Sequence, residues 1–275
     1  MCRRFRLIAF FFSWVGVIAG AGAGEPVLEG KLVQGGLVQG VVDPGARVEL
    51  AGKSVPVDDE GRFVIGFDRD APAVEQLHVD GQVFTLSIEP REYDIQRVEG
   101  IAKRIMSPSE QDLQRISKEA AQVANARTLY DLRADFATGF EWPVVGPISG
   151  VYGSQRFYNG NPSRPHYGVD IAVATGTPVL APAPGLVTLA EDDLFYSGGT
   201  VIVDHGHGLT SSFLHMSKVS VAVGQRVDRG TMIGEVGATG RVTGPHLDWR
   251  MNWRDRRIDP QLLVGEMIDA NAVAD

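Results

Sequence analysis

Short strand-like runs separated by glycines fill the second half of the chain, and no amphipathic helix interrupts them. Apolar or alternating runs of this length are typical of β-strands, and parallel strands would need crossover helices between them. The sequence therefore predicts an antiparallel, largely all-β domain over residues 140–264. The runs are residues 178–181, 185–189, 200–203, 209–216, 227–236 and 246–252.

The first half of the chain predicts a second, smaller β domain over residues 25–98. Alternating runs at residues 46–50 and 62–65 are flanked by turn-forming sequences at residues 43–45 and 58–61. Closely spaced short strands with such turns are typical of β-sandwiches. The predicted fold class is therefore mainly β, with a small N-terminal β-sandwich-like domain.

A helical linker is predicted over residues 99–139, between the two β domains. Ser107-Pro108-Ser109-Glu110 provides a cap, a helix-opening proline and an early acid, and apolar residues then recur at helical spacing to about Arg133. The charged face of this helix is interpreted as solvated surface. Residues 265–275 are polar and alanine-rich, and we expect this C-terminal tail to fray.

Residues 1–24 have the pattern of an export signal. A basic start is followed by an apolar core over residues 7–18 and by small residues at 21–23. The alternative is a permanent membrane anchor, but the apolar part is shorter than the roughly 20 residues that a membrane span needs. We expect the mature protein to be exported, without a membrane span, and periplasmic or cell-wall associated.

The charge and cysteine content narrow the function classes. The formal net charge of −8 and the absence of a basic stripe argue against a nucleic-acid partner. The single cysteine, Cys2, lies in the segment that would be removed. The mature chain would then have no disulfide and no thiolate ligand, so any metal must be held by histidine and carboxylate groups.

Two sequence segments could supply such a metal site. His166 and Asp170 stand in one strand-like segment, and His246 and Asp248 stand in another about eighty residues later. Because alternate side chains of a strand face the same way, each pair is expected to share a face. Three such ligands with an open fourth position suit catalytic zinc, although each segment alone is as well explained by a structural role.

The second domain resembles the M23 (lysostaphin/LytM-type) zinc metallopeptidases in the order and spacing of several motifs over about residues 140–264. The resemblance implies an antiparallel β fold with a groove, a zinc ion, and hydrolysis of peptide cross-links in bacterial peptidoglycan. The matching motifs are Asn161-Pro162-Ser163-Arg164-Pro165-His166-Tyr167-Gly168-Val169-Asp170 and residues 176–182, 203–209, 213–217, 224–234 and 239–246.

The resemblance assigns roles to five residues by position. His166 and Asp170 would be the first two zinc ligands, and His215 and His246 the catalytic histidines. Asp248 departs from the family pattern, which has histidine as the third zinc ligand there. An aspartate can ligate zinc through oxygen, so we expect Asp248 to be the third metal ligand. The ligand set would then leave a neutral zinc site, with a less acidic water and activity displaced to higher pH.

The predicted substrate is a peptidoglycan stem peptide or cross-bridge, and the diaminopimelate type of cross-link is favoured. Tyr158 and Asn161, upstream of the first ligand, are candidates for lining the groove by their position alone. The main alternative is a catalytically inactive LytM-type regulator that binds or activates another cell-wall hydrolase. A structural module without a groove function is the third hypothesis. A regulator need not hold zinc, whereas the enzyme must.

Overall fold

The computed structural model describes residues 24–98, 109–158 and 160–267 of the 275-residue chain. The predicted export segment up to residue 23, the residues Ser107 and Pro108, and the end of the tail from residue 268 lie outside the described residues. Within the described part, strands dominate and the mainly β fold class is confirmed. No helix in this part is long and apolar enough to cross a membrane.

The N-terminal β region consists of two antiparallel sheets that share one apolar core. One sheet has the strand order β1-β2-β5 and the other has the order β4-β3-β6-β7. This arrangement agrees with the predicted β-sandwich-like fold. The strands are β1 (Val27–Gly30), β2 (Leu37–Val41), β3 (Val48–Leu50), β4 (Lys53–Val55), β5 (Arg62–Gly66), β6 (Val74–Val79), β7 (Gln82–Ser87) and β8 (Ile95–Val98).

The turn before β5 shows how local sequence sets these strands. The Asp58 carboxylate accepts hydrogen bonds from the backbone N–H groups of Glu60 and Arg62, and Arg62 Nε also donates to it at 2.7 Å. Gly61 has φ +79°, a left-handed conformation that favours glycine. The aspartate and the glycine of the predicted turn sequence therefore reverse the chain directly before a buried strand.

The helix α1 (Glu110–Asn125) begins at a capping box in which Ser109 and Asp112 satisfy each other's backbone N–H groups. The helix ends at Asn125, eight residues before the expected end near Arg133. The segment after the helix instead runs against the turn at residues 205–208. There Asp131 accepts a hydrogen bond from the backbone N–H of His207, and Arg133 forms an ion pair with Asp204.

The C-terminal β region is built on a large antiparallel sheet with the path β18-β14-β15-β16-β20-β12-β9, to which β21 adds by pairing with β20. Smaller sheets are formed by β13-β19-β17 and by β11-β10-β8. The strands are β9 (Ile148–Gly150), β10 (Gln155–Tyr158), β11 (Asn161–Pro162), β12 (Val169–Ile171), β13 (Pro178–Leu180), β14 (Gly185–Leu194), β15 (Gly198–Asp204), β16 (Leu209–Met216), β17 (Lys218–Val219), β18 (Arg226–Val227), β19 (Met232–Glu235), β20 (Leu247–Trp253) and β21 (Arg256–Ile258).

Alternation along β20 separates a core face from a site face. Trp249, Met251 and Trp253 are buried in the apolar core, as expected from their positions in the sequence. Asp248 and Arg250 alternate with them and therefore lie on the opposite face. The central strand of the sheet thus presents polar groups on one side because its other side is needed for packing.

The N-terminal β region contacts the C-terminal β region directly. β8 pairs in parallel with β10, the strand that leads towards His166. Arg256 on β21 donates to both carboxylate oxygens of Glu75 on β6, each at 2.9 Å, and Arg91 is ion-paired with the buried Asp259. These contacts hold the two regions together.

Candidate metal centre

Three groups of the metal-ligating type converge at the junction of β12 and β20. Asp170 and Asp248 are direct cross-strand partners, and His166 lies in the loop that precedes β12. His166 Nε2 is 3.1 Å from Asp170 Oδ1 and 3.5 Å from Asp248 Oδ2. One ligand atom from each residue lies within 4.8 Å of the other two. The structure therefore brings together the three residues expected to bind the metal.

Two glycines make room for these carboxylates. A Cβ atom on Gly150 would lie 2.2 Å from Asp170 Oδ2, and a Cβ atom on Gly168 would lie 2.6 Å from Asp248 Oδ1 and from Arg250 Cγ. Contacts this short do not occur between real side chains, so any larger residue would displace the ligand groups. The glycine between His166 and Asp170 thus lets β12 pair closely with β20.

His215 and His246 lie beside the ligand set. Their ring centroids are 5.0 Å apart, His215 Nε2 is 3.9 Å from Asp248 Oδ2, and His246 Nε2 is 3.8 Å from Asp170 Oδ1. His215 has φ +67°, which is uncommon for a residue other than glycine and occurs often at functional sites. The backbone there is held by the hydrogen bond from His215 N–H to the Ser197 carbonyl.

Backbone carbonyls fix the same tautomer in all three histidines. The Nδ1 atoms of His166, His215 and His246 are 3.3, 3.0 and 2.9 Å from the carbonyl oxygens of Val151, Thr239 and Gly244. Because a carbonyl only accepts, we assign the proton to Nδ1 in each neutral ring. Each Nε2 then has a free lone pair that faces the cluster, as a metal ligand or a proton acceptor requires.

Arg250 pairs with Asp248 on the same face of β20. Its Nε donates to Asp248 Oδ1 at 2.9 Å and to Oδ2 at 3.0 Å, and its Nη2 also contacts Oδ2. The side chain of Asp248 is 3% exposed, so burial raises its pKa, but Arg250 and then His166 outweigh this and lower the pKa well below its usual range. Asp248 is therefore an ionised carboxylate.

The role of Arg250 is the main feature of the site that the sequence interpretation missed. The available signal was the alternation that places Arg250 on the face of Asp248, with opposite charges two residues apart. A neutral charge was expected for the bound zinc site because only the ion and the two carboxylates were counted, without this guanidinium. With Arg250 included, two carboxylates, one guanidinium and a divalent ion leave a net charge of about +1.

The donor set fits a divalent cation. His166 Nε2 and Asp170 Oδ1 are buried and face each other at 3.1 Å, and in the described structure neither atom has a partner outside the ligand set, so a cation could replace the proton that lies between them. Two atoms each about 2.0–2.1 Å from a tetrahedral zinc ion are about 3.4 Å apart, close to the observed 3.1 and 3.5 Å. Asp248 can contribute as well, because a carboxylate has about four lone-pair positions and the three contacts from Arg250 leave one of them.

The pKa values of His166 and His215 are shifted in opposite directions. Burial lowers the pKa of His166, but hydrogen bonds with Asp170 and Asp248 outweigh it and raise the pKa to about 10. Burial lowers the pKa of His215, and the attraction of Asp248 does not compensate. Without a metal, His166 therefore carries a proton that a cation must displace, whereas His215 is neutral near pH 7.

The remaining candidates lie apart from the ligand set. Tyr158 and Asn161 are backbone partners in the β10–β11 hairpin, where Asn161 is exposed and the side chain of Tyr158 lies outside the described structure. His205 and His207 lie in the turn between β15 and β16 and are fully buried. His205 contacts the Pro184 carbonyl at 2.7 Å and Ser211 Oγ at 2.8 Å, so its ring is occupied by structural contacts.

An antiparallel sheet that places a His/Asp/Asp ligand set beside two further histidines defines a site of the metallohydrolase class. The family profile described as Peptidase family M23 matches residues 164–260. A crystal structure of an M23 peptidase from Pseudomonas aeruginosa is 33% identical, covers 85% of this chain and 95% of that chain, and superposes with a TM-score of 0.66. The chain therefore belongs to peptidase family M23, a family of metallopeptidases, and the resemblance seen in the sequence is confirmed.

Curated relatives match part of the chain. Peptidoglycan DD-endopeptidase ShyA of Vibrio cholerae is 42% identical over 95 residues, which are 34% of this chain and 22% of the relative. Cell division protein DipM of Caulobacter vibrioides is 30% identical over 149 residues, which are 52% of this chain and 24% of the relative. The matched segment is therefore less than a quarter of the length of these two proteins.

Proposed function

We propose that the protein is a zinc-dependent endopeptidase that hydrolyses peptide cross-links of bacterial peptidoglycan. The observation that carries this proposal is the convergence of His166, Asp170 and Asp248, with the buried His166 Nε2 and Asp170 Oδ1 3.1 Å apart, beside two histidines whose Nδ1 atoms are held by backbone carbonyls. The similarity to a relative named as a peptidoglycan DD-endopeptidase supports the substrate class. We also propose that the protein acts after export, in the periplasm or at the cell wall.

His166, Asp170 and Asp248 would hold the zinc ion. Zinc bound there would supply Lewis-acid chemistry, polarising the scissile carbonyl and making a water acidic enough to attack at neutral pH. Arg250 holds the Asp248 carboxylate in one orientation through its hydrogen bonds to both oxygens. The Val151 carbonyl does the same for the His166 ring, so the ligand atoms need little reorganisation.

His215 and His246 would move the protons. Because burial keeps His215 neutral near pH 7, its Nε2 can accept a proton from the attacking water. His246 Nε2 faces the same space from the side of Asp170, and only the imidazolium form of His246, with a second proton on Nε2, would donate to the leaving amine or to the developing oxyanion. Thr239 and Gly244 carbonyls keep both rings in the orientation that these transfers need.

The test is digestion of cross-linked peptidoglycan by the full chain loaded with zinc. We expect loss of cross-linked fragments with the wild type, and loss of turnover by about two to four orders of magnitude in His215→Ala or His246→Ala. His78→Ala is the matched control, since His78 lies on β6 outside the ligand set and should leave digestion unchanged. Equal digestion by the wild type and both site variants would refute the proposed roles.

A second candidate function is supported by the third ligand position. Asp248 stands where the family pattern has histidine, and its carboxylate is already paired with Arg250. A protein with this site could bind a cell-wall hydrolase or the wall through the same groove without catalysis. The similarity to a relative named as a cell division protein is consistent with such a role. Failure of the zinc-supplemented wild type to digest peptidoglycan would favour this regulator.

A further inference from the structure

Four arginines gather on the site face of the large sheet, next to the metal-ligand set. We call Arg127, Arg164, Arg250 and Arg257 the arginine cluster. Arg127 Nη2 donates to Ser212 Oγ at 3.0 Å, and Ser212 is the cross-strand partner of Arg250. The four side chains therefore come from the segment after α1, the loop before β12, β20 and β21.

The other contacts place the second half of the cluster beside the first. Arg257 Nη1 donates to Asn252 Oδ1 at 3.1 Å, and Asn252 shares the face of Arg250 on β20. The guanidinium carbons of Arg164 and Arg257 lie 5.6 and 5.5 Å from the centroid of the same Tyr167 ring. The cluster thus extends from Arg250 towards Tyr167, whose ring lies close to both Arg164 and Arg257.

The positive charge of this cluster is only partly balanced. Among the described residues, Arg250 is the member that has a carboxylate within ion-pair distance, namely Asp248. The Asp68 carboxylate accepts from the backbone N–H of Arg257. Arg127 Nε is buried and has no hydrogen-bond partner in the described structure. Burial and then the neighbouring arginines lower the pKa of Arg127 to about 9, and the pKa of Arg257 is lowered for the same reasons.

We propose that the arginine cluster is a binding subsite for a free carboxylate of the peptide substrate. Guanidinium groups bind carboxylates through two parallel charge-assisted hydrogen bonds, which suits a planar anion above Tyr167. A bound carboxylate removes the repulsion between the guanidiniums and satisfies the unpartnered Arg127 donor. The identity of the ligand rests on the proposed function, because cross-linked stem peptides carry free carboxylates near the bond to be cut.

The spacing of the sheet fixes where that carboxylate must be. Successive residues of a strand rise by about 3.3 Å, so Arg250 and Asn252 lie about 7 and 13 Å along β20 from Asp248. An extended peptide covers the same distance in about two to four residues. The preferred substrate should therefore carry its carboxylate two to four residues from the scissile bond, on the side of the groove that leads to Arg164 and Arg257.

The experiment compares stem peptides in which the scissile bond is replaced by a link that cannot be hydrolysed. The peptides differ only in carrying a free carboxylate or a primary amide two to four residues from that link. Binding to the full chain is measured by calorimetry at low and high salt. We expect the wild type to bind the carboxylate form at least about tenfold more tightly, with the difference decreasing at high salt. Arg164→Gln and Arg257→Gln should each reduce this preference to about threefold or less.

The controls separate a local site from net charge and from misfolding. Arg47→Gln removes an exposed arginine of the N-terminal β region and should keep the full preference. Arg164 is exposed, so its variant should fold even where a variant of the more buried Arg127 does not. Equal binding of the two peptides by the wild type, or the same loss of preference in Arg47→Gln, would overturn the subsite.

Cleavage of the cross-linked versions of both peptides keeps the two proposals distinguishable. Cleavage of both forms with equal kcat/KM, together with equal binding, would overturn the carboxylate subsite and leave the peptidase proposal standing. A retained carboxylate preference in binding without any cleavage would instead overturn the peptidase proposal and support a carboxylate-binding groove. A carboxylate preference in both binding and kcat/KM supports the two proposals together.

Discussion

Asp248 stands where the family pattern has a histidine as the third ligand, and Arg250 is paired with it. A lone aspartate would make a zinc site neutral, whereas the ion pair keeps its net charge at about +1, the value of a His/His/Asp set. The pair therefore preserves the electrostatic pull on a bound water although the ligand atom changes from nitrogen to oxygen. We accordingly expect the pH dependence of activity to be that of an ordinary site rather than displaced to higher pH.

The pairing predicts a non-additive double-mutant cycle for zinc affinity. Arg250→Gln removes the hydrogen bonds that orient the Asp248 carboxylate. Asp248→His leaves the positive charge of Arg250 unpaired beside the cation. Each single change should weaken zinc binding by about 10- to 100-fold. The double variant Asp248→His/Arg250→Gln should bind within about threefold of the wild type, because charge and ligand are both restored. Competition with a chromophoric chelator measures these constants, and additive losses would contradict the pairing.

At the residue scale, the sequence predicted which candidate ligand residues converge better than it predicted the partners of those residues. His246 and Asp248 share a face because strand alternation requires it, as expected. His166, by contrast, reaches the cluster from a loop, where alternation does not apply. The Arg127 contact with Ser212 joins positions 85 residues apart, and no local pattern encodes it. Side-chain reach and long-range packing therefore set the parts that the sequence could not predict.

At the element scale, the turn between β15 and β16 is a structural unit built around a buried histidine. Burial lowers the pKa of His205 to about 4, against the opposing effect of its hydrogen bond to the Pro184 carbonyl. The neutral ring is needed in the folded state, since its Nδ1 donates to that carbonyl and its Nε2 accepts from Ser211. The sequence suggested an ordinary polar turn, but the chain segment that follows α1 covers it, through backbone contacts of Asp131 and Phe136 with His207 and His205.

This turn predicts a pH-dependent stability contribution. In the unfolded chain His205 takes up a proton below pH 6.5, whereas in the folded protein it does so only near pH 4. Its contribution is therefore complete above pH 6.5 and is lost as the pH falls towards 4, at a slope of up to about 1.4 kcal/mol per pH unit. The stability difference between wild type and His205→Gln in urea unfolding should shrink over this range; a constant difference would count against it.

The early end of α1 shows why element boundaries were only partly predictable. The capping sequence identified the start at Ser109, because a cap is a local interaction. The end at Asn125 depends on Arg133, whose ion pair with Asp204 draws the chain along the large sheet. Residues 126–132 fit a helix equally well by local preference, so tertiary contacts set the end of the helix.

At the scale of the whole molecule, the two β regions are joined by contacts between residues far apart in sequence. Both regions and their strand content were predictable from alternation and turn residues, whereas their contact was not. Glu75 and Arg256, separated by 181 positions, form a pair whose side chains are 6% and 20% exposed. Lys53 and Asp255 form a second pair with side chains 67% and 70% exposed.

These pairs predict different costs when they are broken. Glu75→Ala leaves the guanidinium of Arg256 half-buried without its carboxylate and should lower the free energy of unfolding by about 2–4 kcal/mol. Asp255→Ala is the matched control, since an exposed ion pair contributes about 0.5 kcal/mol or less. Thermal and chemical unfolding of the two variants measures the difference. If Glu75→Ala lowered the free energy of unfolding as little as Asp255→Ala does, the buried ion pair would not contribute to the stability of the fold.

Equilibrium zinc binding by the purified protein tests directly whether His166, Asp170 and Asp248 form a metal site. We predict one tightly bound zinc ion per chain for the wild type, release of about one proton on binding near pH 7 because His166 is protonated beforehand, and loss of binding in Asp170→Ala. A wild type that binds no zinc under metal-replete conditions, or an Asp170→Ala variant that binds it as tightly, would contradict the account.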